Sequence, residues 1–209
     1  SILSVREFEE DKFVMVATER GIVKKTSLMS YSKPRQGGVI GLTIDDGDRL
    51  IGAELCDGES DILLATEKGF SIRFSEKEAR PIGRTGRGVR GIRLKTDDRV
   101  VGAEIVHPGN MLLTVTSNGY GKRTQLEEYP VQGRGGLGVM TIRCNEKIGA
   151  VVGIQQVTEN DQLLVITSDG NIVRMKVNEI SVIGRNTQGV RLVGTGESNQ
   201  VVSVEKLVE

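Results

Sequence analysis

Apolar residues along this chain come in short runs separated by polar turns that carry glycine. Four such runs, Val14 to Ala17, Ile62 to Ala65, Met111 to Val115 and Leu163 to Ile166, each meet a polar pair, a glycine and a second β-rich run. That order of residues predicts a β-hairpin. The segments ATERGIVKKT, ATEKGFSIRF, VTSNGYGKRT and ITSDGNIVRM align on Gly21, Gly69, Gly119 and Gly170, spaced 48, 50 and 51 residues apart. A fixed period decides architecture more firmly than local propensity does, so the chain is read as repeats of about 50 residues.

Two further slots recur with the same period. RQGGVIGL, GRGVRGIRL, GGLGVMTIR and TQGVRLVG align on Gly38, Gly88, Gly138 and Gly189, and their valines and isoleucines predict a third strand behind a glycine-dependent loop. ILSVREF, LIGAELC, VVGAEIV, VVGIQQV and VVSVEKL form a fourth slot, aligned on Ser4, Gly52, Gly102, Gly153 and Ser203. Four strands per repeat is the arithmetic of a propeller blade, and no clear 3.6-residue periodicity interrupts it. The expected fold is all-β, a pinwheel or propeller of four-stranded blades, with residues 1–209 forming one domain of approximate repeats 1–49, 50–99, 100–150 and 151–209. The fifth copy of the last slot implies that the outermost strands belong to neighbouring blades of a longer ring.

Composition agrees: 27 Gly, 4 Pro and no Trp favour many turns over long helices. No apolar run approaches the roughly 18 residues of a membrane span, and SILSVREFEE lacks the regions of a signal peptide, so a cytoplasmic protein without membrane contact is expected. Cys56 and Cys144 lie in apolar stretches of different repeats and are read as free thiols, not a disulfide framework.

Charge alters the picture more. The net charge is zero, which taken alone argues against a nucleic-acid partner. Its distribution argues the other way. The windows Arg20–Gly41, Lys68–Lys95, Gly119–Arg143 and Gly170–Arg191 hold 22 of the 28 Lys and Arg but 5 of the 28 Asp and Glu. Sorting that follows the repeat predicts a positive band, blade after blade, against which a polyanion could bend. Duplex DNA fits best, because aromatics make up only 3% of the chain and offer few rings on which unpaired bases could stack.

The expected phosphate contacts are Lys24, Lys25, Lys33 and Arg35 in the first repeat, and Arg73, Arg80, Arg84, Arg87, Arg90 and Arg93 in the second. Lys122, Arg123 and Arg134 follow in the third, and Arg174, Lys176, Arg185 and Arg191 in the fourth. Their role would be to position the duplex, not to read its bases. Enzyme chemistry finds no support, and no metal or cofactor is expected. Gly86 to Gly91 matches G-x-G-x-x-G, but no helix signal follows it as a dinucleotide site requires. His107 is the sole histidine and sits in a turn, and the acidic loop Asp57 to Asp61 lacks calcium-loop spacing.

Several stretches resemble the C-terminal domain of the DNA gyrase A protein: GIVKKT at Gly21 to Thr26, GVRGIRL at Gly88 to Leu94, NGYGKRT at Asn118 to Thr124 and EISVIGRNTQGV at Glu179 to Val190. The resemblance covers nearly the whole chain in order. It implies a β-pinwheel that wraps duplex DNA so that the enzyme introduces negative supercoils, with the rest of the gyrase A protein and the gyrase B protein as partners. It places the cleaving tyrosine and ATP hydrolysis outside this chain, in a bacterial, nucleoid-associated enzyme, and the isolated domain is expected to be monomeric. The chain would cover the later blades. The family's first-blade heptapeptide, Gln-Arg-Arg-Gly-Gly-Lys-Gly, finds its nearest match in Gln132, Arg134, Gly135, Gly136 and Gly138, with Gly133 and Leu137 replacing its second and sixth residues. This is read as a structural echo of the box in another blade. Two alternatives stand beside this reading: the similar C-terminal domain of the A-type protein of topoisomerase IV, and a propeller of the regulator-of-chromosome-condensation type serving as a protein-interaction platform.

Overall fold

The computed structural model describes residues 2–34, 36–196 and 198–207. Each predicted hairpin forms: β1 (Phe13–Thr18) with β2 (Ile22–Ser27), and β4 (Asp61–Thr66) with β5 (Phe70–Ser75). The later two are β8 (Met111–Thr116) with β9 (Tyr120–Gln125), and β12 (Gln162–Thr167) with β13 (Ile172–Lys176). The fourth slot supplies the long strands β3 (Leu50–Cys56), β7 (Val100–Val106), β11 (Val151–Val157) and β15 (Val201–Leu207). The segments behind the loop glycines supply two-residue strands, β6 (Val89–Arg90), β10 (Val139–Met140) and β14 (Val190–Arg191). A single 3-10 turn closes each hairpin, at Leu28–Tyr31, Glu76–Glu78, Leu126–Glu128 and Val177–Glu179.

The strands form sheets ordered β3-β1-β2-β6, β10-β5-β4-β7, β11-β8-β9-β14 and β13-β12-β15. A blade is therefore not cut from consecutive sequence. The short strand behind one hairpin crosses to the hairpin before it, so β6 pairs with β2 (Ile22↔Arg90, Val23↔Val89) and β14 with β9 (Gly121↔Val190, Tyr120↔Arg191). The reason is local. The Gly91 N–H donates to the Gly21 carbonyl at 2.8 Å and the Leu192 N–H to the Gly119 carbonyl at 2.8 Å, which covers an edge that would otherwise expose unpaired backbone groups.

Two expectations need correction. Ile2 to Phe8 and Gly38 to Leu42 form no strand, although they carry the sequence of one. Among the described residues no hairpin precedes β1 for Val39 and Ile40 to pair with, and the fourth sheet has three strands because no short strand covers β13. The exposure of β13, outward-facing at four of five residues where β2 is buried at four of six, reflects that difference.

Contacts divide the chain into two compact units, one of Ser1–Leu64, Ile72–Ile105 and Val131–Gly138, the other of Ala65–Ser71, Val106–Pro130 and Val139–Glu209. The first unit packs Met15, Val23, Leu64, Phe74, Ile92 and Val100 into its core. The second packs Leu113, Val115, Leu163, Val165, Val193 and Val204. Each such side chain contributes about 1.5–3 kcal/mol through burial. Cys56 is buried and Cys144 half-buried, both as free thiols. Burial, with Glu76 alongside, holds the Cys56 thiol far above its ordinary range and so protonated.

Candidate nucleic-acid interface

The expected cations divide into two structural classes. Lys24, Lys25, Lys122 and Arg123 are buried, at 1%, 3%, 0% and 4% exposure, and so cannot reach a phosphate. They lie on β2 and β9, which have neighbouring strands on both sides. Their charges are met inside the protein. The Lys24 ammonium donates to the carbonyls of Gly41 and Arg84, and that of Lys122 to the carbonyls of Gly184 and Arg185 and to Thr187 Oγ1. Lys25 donates to the Glu76 carbonyl at 2.9 Å and pairs with its carboxylate at 3.5 Å, while Arg123 Nε donates to the Ile180 carbonyl at 2.7 Å.

Burial is also what shifts Lys24 and Lys122. It lowers the Lys24 ammonium, with the Arg84 charge adding to the effect. It brings Lys122 down to about 8, opposed by Glu128 and assisted by Arg185. These residues are clamps that set the shape of the basic loops. For Lys24 and Lys25 the signal was present in the sequence as two cations behind an apolar pair, I-V-K-K-T, which in a central strand are covered on both faces, and Lys122 and Arg123 hold the aligned positions of the third repeat.

The second class is exposed. In the first unit Lys33, Arg80, Arg87, Arg90, Arg93 and Arg134 face outward and Arg84 is half-buried. Arg84, Arg87, Arg90 and Arg93 follow one another along the loop into and out of β6. Arg84 Nη1 donates to the Ile40 carbonyl at 3.0 Å, so this arginine also stiffens the backbone beside it. The Arg87 side chain is 77% exposed, and its ion pair with Asp45 at 3.6 Å is a solvated contact worth little. Arg73 is held in the strand by Asp61 at 2.8 Å. Arg35 lies outside the described residues.

The heptapeptide-like turn from Gln132 to Gly138 docks on this cluster. Arg134 donates from Nη1 to the Arg90 carbonyl and from Nε to the Glu78 carbonyl, while its backbone N–H donates to the Glu78 carboxylate at 3.0 Å. The Gln132 N–H donates to the Arg73 carbonyl, Gly135 N–H to Gly91, and Arg93 N–H to Gly136. Gly135 and Gly138 take φ of +78° and +73°, which only glycine adopts freely. The turn thus acts as a strut under Arg90 and Arg93.

In the second unit Arg174, Lys176 and Arg191 are exposed and Arg185 is half-buried, with Arg174 Nε donating to Gln162 Oε1 at 2.7 Å. Arg185 repeats the pattern of Arg134: its backbone N–H donates to the Glu128 carboxylate at 3.1 Å and its Nη1 to the Met140 carbonyl at 2.9 Å. Two exposed cations join this surface that the sequence pattern did not single out. Arg143, whose Nη2 donates to Asn186 Oδ1, stands five residues after Gly138 as Arg93 stands after Gly88, and that alignment was its signal. Lys147 stacks over the Tyr120 ring at 5.6 Å and shares with Arg191 a polar cleft of about 260 Å³. No periodicity announced Lys147.

The remaining motifs are structural. Gly86 to Gly91 lies on the loop into β6 with no helix behind it, and His107 is exposed in its turn. Among the described residues no cluster of His, Cys, Asp or Glu could hold a metal ion, and no helix is long and apolar enough to cross a membrane.

With this geometry in view, comparison with known proteins is specific. The family model described as DNA gyrase C-terminal domain, beta-propeller, matches residues 12–57, 60–107, 110–158 and 161–207, one match for each hairpin with its following long strand. The DNA gyrase A protein of Salmonella typhimurium is 47% identical over 209 residues, covering 100% of this chain and 24% of that protein. The DNA gyrase A protein of Buchnera aphidicola subsp. Acyrthosiphon pisum is 54% identical over 209 residues, covering 100% of this chain and 25% of that protein. The chain therefore spans about a quarter of the length of the curated relatives it matches. Among solved structures, the C-terminal domain of DNA topoisomerase IV superposes with a TM-score of 0.91 at 26% identity, covering 97% of this chain and 64% of that one. The DNA gyrase A C-terminal domain gives 0.87 at 25% identity, covering 98% and 68%.

Proposed function

Since the chain belongs to the DNA gyrase C-terminal domain family, we propose that it binds duplex DNA through its exposed loop cations and bends the duplex along them. The observation that carries this reading is the division between the two classes of cation. Buried lysines tie down the loops from within, and the arginines of those same loops, Arg87, Arg90, Arg93 and Arg134 in one unit and Arg185 and Arg191 in the other, remain at or near the surface. A protein that needed charge only for solubility would have no reason to brace it in this way.

The contacts are with phosphates, and sequence preference is weak, because among the described residues no helix or long ribbon is shaped for the major groove. Bending a 20–30 bp site by 40–90° costs on the order of 1–6 kcal/mol, so cations distributed over several loops are needed to offset it. In the whole enzyme the domain works with the remainder of the gyrase A protein and with the gyrase B protein, holding a wrapped segment for negative supercoiling. The cutting and resealing of DNA and the hydrolysis of ATP belong to those other parts. The likeness to the topoisomerase IV domain favours a second reading, DNA binding without full wrapping.

The two readings separate in one experiment. Relaxed plasmid is incubated with the chain, treated with a nicking-closing enzyme and analysed for linking number. Wrapping shifts the topoisomer distribution in proportion to bound protein. Duplex retardation in a low-salt gel without such a shift supports the second reading, and no retardation at all contradicts both, as a pure protein-interaction platform would.

A further inference from the structure

The basic windows of the four repeats keep five acids, and all five lie on the 3-10 turns that close the hairpins: Glu76, Glu78, Glu127, Glu128 and Glu179. Glu76 is buried and answers the Lys25 ammonium at 3.5 Å. Glu78 and Glu128 are exposed, next to loops whose arginines face solvent. A carboxylate in that place repels a polyanion, so charge alone gives it no reason to be there.

The hydrogen bonds supply the reason, and each unit supplies the same one. In the first unit the Glu78 carboxylate accepts the backbone N–H of Arg134, 3.0 Å away in the loop of the next repeat. Arg134 Nη1 donates to the Arg90 carbonyl at 3.1 Å, and the Gly136 carbonyl of the same loop accepts the Arg93 N–H at 2.8 Å. In the second unit the Glu128 carboxylate accepts the Arg185 N–H at 3.1 Å. Arg185 Nη1 donates to the Met140 carbonyl at 2.9 Å, and the Thr187 carbonyl accepts the Arg143 N–H at 2.8 Å. The two sets stand one repeat apart, and every group in them belongs to this chain and is bonded within it.

We infer that Glu78 and Glu128 are positioning residues for phosphate binding. Each fixes the loop that holds the backbone of cations in the repeat before it, Arg90 and Arg93 in one unit and Arg143 in the other. The role rests on the DNA binding proposed above. A carboxylate suits it, because a hydrogen bond to an ionised acceptor is about twice as strong as a neutral one. An arginine whose backbone is already fixed has less freedom to lose when it meets a phosphate. The two acids therefore aid DNA binding, opposite in sign to the effect of their charge.

Two double variants test this: Glu78→Ala with Glu128→Ala, and Glu78→Gln with Glu128→Gln. Both remove two negative charges, but only glutamine keeps an oxygen that can accept the loop N–H. Affinity for a random-sequence duplex is measured at low salt on folded protein, and hydrogen exchange of the Arg134 and Arg185 amides is followed in the same samples. The alanine pair should bind about three- to tenfold more weakly than the wild type and exchange faster at both amides, whereas the glutamine pair should bind at least as tightly as the wild type and keep its protection. An alanine pair that binds as tightly as the glutamine pair would overturn the inference and leave the DNA-binding reading standing, since charge alone would then govern. A wild-type chain that binds no duplex would overturn both.

Discussion

The Lys122 ammonium donates to the carbonyl of Gly184, 2.6 Å away and 62 residues on in sequence, and so ties a central strand to the basic loop that precedes β14. Lys24 makes the same kind of tie to Gly41 at 3.1 Å. Replacing Lys122 by methionine keeps the apolar stem but removes the charged donor from three groups, the carbonyls of Gly184 and Arg185 and the Thr187 hydroxyl, which keep only the turn's own bonds from Thr187. A hydrogen bond from a charged group contributes about 1.5–3 kcal/mol net, and part of the loop can turn its carbonyls to water. Lys122→Met should therefore lower stability by about 2–4 kcal/mol in chemical denaturation. A change within ordinary surface scatter would remove Lys122 from the clamp.

The same lysine carries a pH signature. Burial holds its folded value at about 8, below the 10.5 of the free side chain, so between those values the unfolded chain binds more protons than the folded one. Stability must rise with pH wherever that holds. The difference in unfolding free energy between the wild type and Lys122→Met should be level below about 8 and shift in favour of the wild type as pH climbs toward 10.5. Urea titrations across that window check it, and a difference that stays flat or moves the other way counts against a buried, desolvated ammonium.

Two hairpin glycines of equal backbone conformation should respond differently to alanine. Gly119 and Gly170 have φ of +79° and +83°, so each substitution carries the left-handed penalty of about 1–2 kcal/mol. Gly119→Ala additionally drives a methyl to 2.4 Å from the Val193 carbonyl, whereas at Gly170 the methyl meets nothing within 4 Å. Thermal or chemical denaturation should show Gly119→Ala costing about 3 kcal/mol or more and Gly170→Ala about 1–2 kcal/mol. Equal losses would mean that the segment from Arg191 to Val193 is not seated against the turn.

The hairpins, the period and the long strands were legible because each depends on neighbours in sequence: an apolar run, a turn glycine at fixed offset, a second run. Strand exchange was not legible. Val89 and Arg90 read as a strand in any sheet, and only the geometry of the Gly88 loop decides that they join β2 instead of their own hairpin. The site divides in the same way. Arg87, Arg90 and Arg93, expected as phosphate contacts, lie exposed, whereas Lys24, Lys25, Lys122 and Arg123 are buried, a difference that a charge count misses because it does not distinguish a rim from a strand covered on both faces.

The central claim is that exposed loop arginines, braced from within, hold the phosphates of a duplex, and Arg87, Arg90 and Arg93 test it with least risk to the fold. Each is exposed, and none is one of the buried clamps. The measurement is the affinity of the chain for a random-sequence duplex across a range of salt concentrations, for the wild type and for the triple alanine variant. Each phosphate contact adds roughly 0.9 to the slope of log affinity against log salt, so the variant should bind more weakly to every sequence with a slope smaller by about 2 to 3. An unchanged affinity and slope in a folded triple variant would contradict the account.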